Sequence, residues 1–169
     1  MNFRKNGKSQ VAGFSLIELL AAIIIMAILA GLSGPSMRPF IVKQQLLTAS
    51  QELIESLQLA RSEAIANGSN YRLQPTNANW TSGWQSEEII PNSNPVSFKR
   101  YKLANALVTV DLIVGDTVNN SIVFDNKGRA NEETRFEVSH SVESANENFT
   151  PYCVSITRSG SIEISKSTC

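Results

Sequence analysis

Histidine and cysteine are almost missing from this 169-residue chain: His140 stands alone, and Cys153 and Cys169 are its two cysteines. A structural zinc site needs about four ligands and a catalytic one about three at defined spacings, and His140 has no such companions. Neither cysteine sits in a CxxC pair, so thiol–disulfide catalysis has no motif. A proton relay lacks a second histidine, and the nine glycines form no phosphate-cradling loop. Acidic pairs do occur at Glu87-Glu88 and Glu132-Glu133, but residues adjacent in sequence do not converge on one substrate, and they are expected to face solvent. Formal charge is zero, with fifteen basic and fifteen acidic side chains. That balance supplies no broad field for a polyanion. No enzyme, cofactor or metal is expected.

What the chain does have is one long apolar run. Gly13 to Leu32 reads GFSLIELLAAIIIMAILAGL, interrupted by the single acid Glu18 and preceded by Arg4, Lys5 and Lys8. Ordinary secretory signals are cut after the apolar stretch and lose it. Here the cut is expected before it, between Gly13 and Phe14. A charge near the bilayer centre costs about 2.5 to 3.5 kcal/mol on insertion scales, so a retained Glu needs a partner. Cleavage would free the α-amino group of Phe14, and Glu18 would neutralise the amino terminus of a neighbouring helix of the same kind. Phe14 to Leu32 would be roughly 28 Å long as a helix, against a hydrocarbon core of about 30 Å.

From Lys8 to Leu19 the pattern K-x-Q-x-x-G-F-S-L-I-E-L resembles the class III signal of type IV pilins and pseudopilins. The resemblance implies that a prepilin peptidase cuts after Gly13 and methylates the new amino terminus on Phe14. It further implies an assembly role for Glu18, and it makes Pro35 the proline that loosens the helix in filaments. The basic leader keeps the amino terminus cytoplasmic and sends the remainder outward, which places the protein in a bacterial inner membrane before it joins a surface filament.

On the outward side an oxidising compartment permits a Cys153–Cys169 bridge, the one intramolecular disulfide available. Without its three leader cations the chain carries twelve basic against fifteen acidic residues and is mildly acidic. The expected organisation is a leader over 1–13, a membrane and filament-core helix over 14–35, an amphipathic helix over 36–68 and a β-rich head over 69–169. Leu46, Ser50, Leu53, Leu57, Ala60 and Ala64 recur at alternating spacings of four and three, with Ile54 and Ile65 widening the stripe, so one face packs. Asn67-Gly68 should end that helix. Short runs then read as strands at 71–74, 96–103, 107–112, 121–125, 135–139, 152–158 and 161–165, with loops at 77–84, 91–95 and 144–151.

Three fragments narrow the resemblance to the FimT/FimU and GspH group of minor pilins and pseudopilins: Asn79-Trp80-Thr81-Ser82-Gly83-Trp84; Ile122-Val123-Phe124-Asp125 followed by Gly128-Arg129; and Cys153-Val154-Ser155-Ile156 followed by Ser159-Gly160. They imply an α+β fold, a long amino-terminal helix packed against a carboxyl-terminal antiparallel β-sandwich-like head. They also imply a minor pilin that primes assembly, sits at the filament tip and supports motility, adhesion or DNA uptake. Its partners would be other minor and major pilins and the inner-membrane assembly platform. Two alternatives are a type II secretion pseudopilin and a DNA-binding pilin for transformation. Some similar proteins bind DNA through a Gly-Arg-x-Arg stretch, but the matching place here reads Arg158-Ser159-Gly160-Ser161-Ile162-Glu163. Candidate DNA contacts are therefore reduced to Arg158, Lys166, Lys127 and Arg129. Simple structural roles compete with each fragment, with Trp80 and Trp84 as core or sheet-edge aromatics and Asp125 to Gly128 as a turn between strands.

Overall fold

A computed structural model describes residues 14–33, 37–93, 96–114, 120–141 and 149–169. Gly13 and Pro35 lie outside these residues. The chain divides after Arg38 into two compact units. In the first, Leu16–Ser33 forms helix α1. The carbonyl of Ser15 accepts the amides of Glu18 and Leu19, at 3.0 and 3.2 Å, and so starts the helix. Among the described residues no helix is long and apolar enough to cross a membrane. The 18 residues of α1 extend about 27 Å, short of a hydrocarbon core of about 30 Å.

The second unit begins almost at the start of helix α2, Arg38–Asn67. All six stripe positions, Leu46, Ser50, Leu53, Leu57, Ala60 and Ala64, are buried, and Ile54 is partly so. Ile65 departs from the expected stripe and is half exposed. The buried hydroxyls cost little because each bonds within the helix: Ser50 donates to the Leu46 carbonyl at 2.8 Å and Ser56 to that of Leu53 at 2.7 Å. The helix stops at Asn67, as expected, with Gly68 at a φ of 65°.

Among the described residues eight strands follow: β1 Asn70–Pro75, β2 Trp84–Ile89, β3 Val96–Tyr101, β4 Val108–Val114, β5 Ile122–Phe124, β6 Thr134–His140, β7 Tyr152–Ile156 and β8 Ile162–Ser165. They make two antiparallel four-stranded sheets, ordered β3-β2-β1-β5 and β4-β6-β7-β8. Alternation sends one side of each strand inward: Tyr71 and Leu73 from β1, Ile122 and Phe124 from β5, Phe136 and Val138 from β6, Val154 and Ile156 from β7. These side chains and the α2 stripe form one core. Among the described residues every buried core side chain lies between Leu46 and Ile156, so residues 39–169 enclose a core of their own.

The two tryptophans join its parts. Trp80, in a 3₁₀ turn over Trp80–Ser82, meets Phe136 edge-on at 4.7 Å and donates Nε1–H to the Asn120 Oδ1 at 2.7 Å. Trp84 stacks on Tyr101 at 5.9 Å and donates to the Ser56 hydroxyl of α2 at 2.8 Å. Both are core residues, each with its indole nitrogen satisfied.

One strand lies outside the expected runs: Trp84 closes a segment that reads as a loop, yet Trp84–Ile89 is β2 in the middle of a sheet. Glu87, expected to face solvent, is buried. Arg72 pairs with it at 2.8 Å, while Gln74 and Gln85 donate to its other oxygen at 2.9 and 2.6 Å. A bulge between Ser86 and Glu87 accompanies this inward turn. A buried carboxylate is tolerable only when paired and hydrogen-bonded, and β1 provides the cation.

Candidate functional site

The residues expected to drive assembly occupy the start of α1. Phe14 precedes the helix and is 83% exposed; Glu18 stands in the first turn, where a carboxylate complements the positive end of the helix dipole. Leu16, Ile17, Leu19 and the following isoleucines are exposed as well. Apart from Glu18, α1 thus displays mostly apolar, exposed side chains. Gly13, the other half of the expected cleavage site, and Pro35 fall outside the described residues.

At the far end of α2 two turns of the head are drawn together. Asp125 to Arg129 connects β5 onward, and the amides of Lys127 and Arg129 both bond the Asp125 Oδ1 at 2.9 Å. The Arg129 guanidinium closes on Oδ2 at 2.7 to 2.8 Å. The backbone bond from Arg129 and then its side chain hold the Asp125 carboxyl below the usual range. The second turn, Thr157 to Ser161, joins β7 to β8 and touches the first through a bond from the Ala130 amide to the Arg158 carbonyl at 3.1 Å. From α2, Arg61 donates Nε–H to the Gly128 carbonyl at 2.9 Å and reaches toward the Ser159 carbonyl at 3.4 Å.

Glycine is required at both turns. Gly128 and Gly160 have φ values of 73° and 81°, and a Cβ on Gly160 would collide with the Gly128 carbonyl oxygen and the Arg61 guanidinium. The two carboxyl-terminal sequence fragments singled out above therefore meet in space, clamped by one helix residue. Arg61 carried no signal in sequence; its place one position beyond the buried Ala60 is the sole hint that it lies beside the stripe.

This geometry decides the fate of the candidate cations. Arg129 and Arg158 line one shallow concavity with Asp125, Asn70, Asn131 and Val123. Arg129 is neutralised by Asp125, which leaves Arg158 as the added charge there. Lys127 is on the same 125–129 turn as Arg129 without lining the concavity, and Lys166 follows β8 at the opposite end of the β7–β8 hairpin. The four residues do not form one positive stripe. Cys153 and Cys169 do form a disulfide, which ties the chain after β8 back to β7. No group of three or more metal-ligating side chains occurs among the described residues.

Comparison with known proteins agrees with this architecture. The family described as type II transport protein GspH matches residues 49–160, and the prokaryotic N-terminal methylation motif matches residues 8–34. The fold is similar to the type IV minor pilin FimU of Pseudomonas aeruginosa, at 20% identity and a TM-score of 0.60, over 75% of this chain and 92% of that one. It is likewise similar to the minor pseudopilin EpsH from the type 2 secretion system of Vibrio cholerae, at 12% identity and a TM-score of 0.57, over 72% and 97%. No curated protein sequence matches the chain.

Proposed function

We propose, because the chain belongs to the GspH family of type II transport proteins and carries the N-terminal methylation motif, that this minor pilin or pseudopilin primes assembly of a type IV pilus and stays at its tip. The observation that carries the reading is the placement of Glu18. It lies in the first turn of an exposed apolar helix, four residues after the aromatic residue that cleavage would make the amino terminus. An unpaired carboxylate in hydrocarbon is costly, so a helix bearing one favours a neighbour that brings a cation. The Phe14 amine of an adjacent subunit, freed by a prepilin peptidase and methylated, is that cation. Phe14 to Leu32 anchors the chain in the inner membrane with its head in the periplasm until assembly draws it out.

Support for a pilus comes from the likeness to FimU, and for a secretion pseudopilin from the likeness to EpsH. The two readings share the amino-terminal chemistry and differ in the machine. Electron-microscopic counts of surface filaments in a strain lacking the protein, scored with its secreted proteins, separate them. Loss of filaments with normal secretion supports the pilus reading. Normal filaments with retained secretion substrates assign the chain to a type II system. DNA capture finds little support in four cations of which Arg129 is already paired and Lys166 stands apart from the others.

A further inference from the structure

The first four turns of α2 and the loop before β4 enclose a groove of about 270 Å³. Its floor and walls are apolar, from Phe40, Ile41, Ala49, Leu103 and Val108. Phe40 is 62% exposed and Ile41 49%, an unfavourable display beside a head that buries Tyr71, Trp80, Trp84, Phe124 and Phe136. Polar atoms enter in two ways. Gln44, Gln45 and Asn105 supply neutral amides, and Glu52 supplies one carboxylate at the end of the groove. From Phe40 to Glu52 the wall rises about 18 Å along the helix.

Glu52 is the informative residue. One turn further on, Glu55 has Lys99 at 3.8 Å, whereas no hydrogen bond or ion pair reaches Glu52 among the described residues. Burial, followed by the charge of Glu55, raises the Glu52 carboxyl above its usual range, as expected for a half-buried acid without a cation. Glu55 thus has a lysine, and Glu52 has no cation among the described residues. That carboxylate stands at the edge of an open apolar groove. An anionic bilayer would meet that carboxylate with like charge, while a protein segment can bring the missing cation.

We propose that this groove receives an amphipathic helical segment of a neighbouring subunit, whose apolar side chains cover Phe40 and Ile41 and whose Lys or Arg pairs with Glu52. The segment has apolar residues at helical spacing over about three turns and a basic residue in the turn that faces Glu52. Apolar anchors supply the contact area, and the cation fixes register and direction. The proposal rests on the reading of the chain as an assembly subunit, but it concerns the head and not the Phe14–Glu18 pairing.

Residues 39–169, which enclose their own core, provide the test. Two 15-residue amphipathic peptides, identical but for Lys or Glu in the last turn, are titrated against this fragment and its Glu52→Gln variant. The methyl signals of Ala49 and Ala104 report the groove, and the Trp84 indole signal reports an intact fold. The Lys peptide should bind at least tenfold tighter than the Glu peptide, and the preference should fall below twofold in Glu52→Gln. Equal affinities, a preference that survives the substitution, or no saturable shift with either peptide overturns the proposal. Shifts seen only with phosphatidylcholine–phosphatidylglycerol vesicles overturn it too and make the groove a lipid contact. Because the fragment lacks Phe14 and Glu18, none of these results bears on the assembly reading itself.

Discussion

Arg61 Nε donates to the carbonyl oxygen of Gly128 at 2.9 Å, across sixty-seven residues of sequence. That bond fastens the last turns of α2 to the paired turns at 125–129 and 157–161, so helix and both sheets meet at one charged side chain. Arg61→Ala should destabilise the head by about 1.5 to 3 kcal/mol, the usual range for a hydrogen bond to a charged group. Gly160→Ala should cost about 1 to 3 kcal/mol through backbone conformation alone, with the collision against Gly128 added. Urea unfolding of residues 39–169 measures both, and an Arg61→Ala midpoint equal to wild type would remove the clamp from the account.

Trp84 joins β2 to α2 through its bond to Ser56. Trp84→Phe keeps most of the packing and loses the bond, so a loss of about 1 kcal/mol is expected. Trp84→Ala leaves a cavity as well and should cost about 3 to 5 kcal/mol. The same unfolding curves check the difference between the two.

Much of this head could be read from its residues, and the rest could not for a physical reason. The α2 stripe has a period that a single helix imposes on its own sequence, and all six of its positions are buried. Cys153 and Cys169 paired because no other choice existed. Strand β2 escaped because WQSEEI shows no apolar alternation: Trp84 and Ser86 face inward, and Glu87 is buried on neighbours supplied by β1. Arg72 and Gln74 make that acid tolerable, and their register against β2 is a tertiary fact. Arg61 was silent in the same way, since its partners are carbonyls of two distant turns.

Acid should weaken the turn at 125–129. The Asp125 carboxyl has a lowered pKa in the folded protein, so the stability it contributes is present above its unfolded value, about 3.9, and disappears as pH falls through the lower folded value. Wild type and Asp125→Asn should therefore differ in melting temperature at pH 6 and converge toward pH 2. Parallel curves over that interval would mean the carboxylate does not act through its charge.

The disulfide closes a sequence separation of 16 residues, worth about 3 kcal/mol on the chain-entropy model. Because it secures an edge strand, a Cys153→Ala, Cys169→Ala double variant should keep the core and lose stability of that order. Thermal melting of this variant beside the oxidised protein measures the loss, while the indole signals of Trp80 and Trp84 check that the core persists.

The assembly reading stands or falls on Glu18. Sheared filaments from cells carrying wild type or Glu18→Ala should be compared for content of this chain, with membrane fractions as the control for expression and anchoring. The account predicts that Glu18→Ala accumulates in the membrane with an intact head but is depleted at least tenfold from filaments. Wild-type levels of the variant in filaments would contradict it.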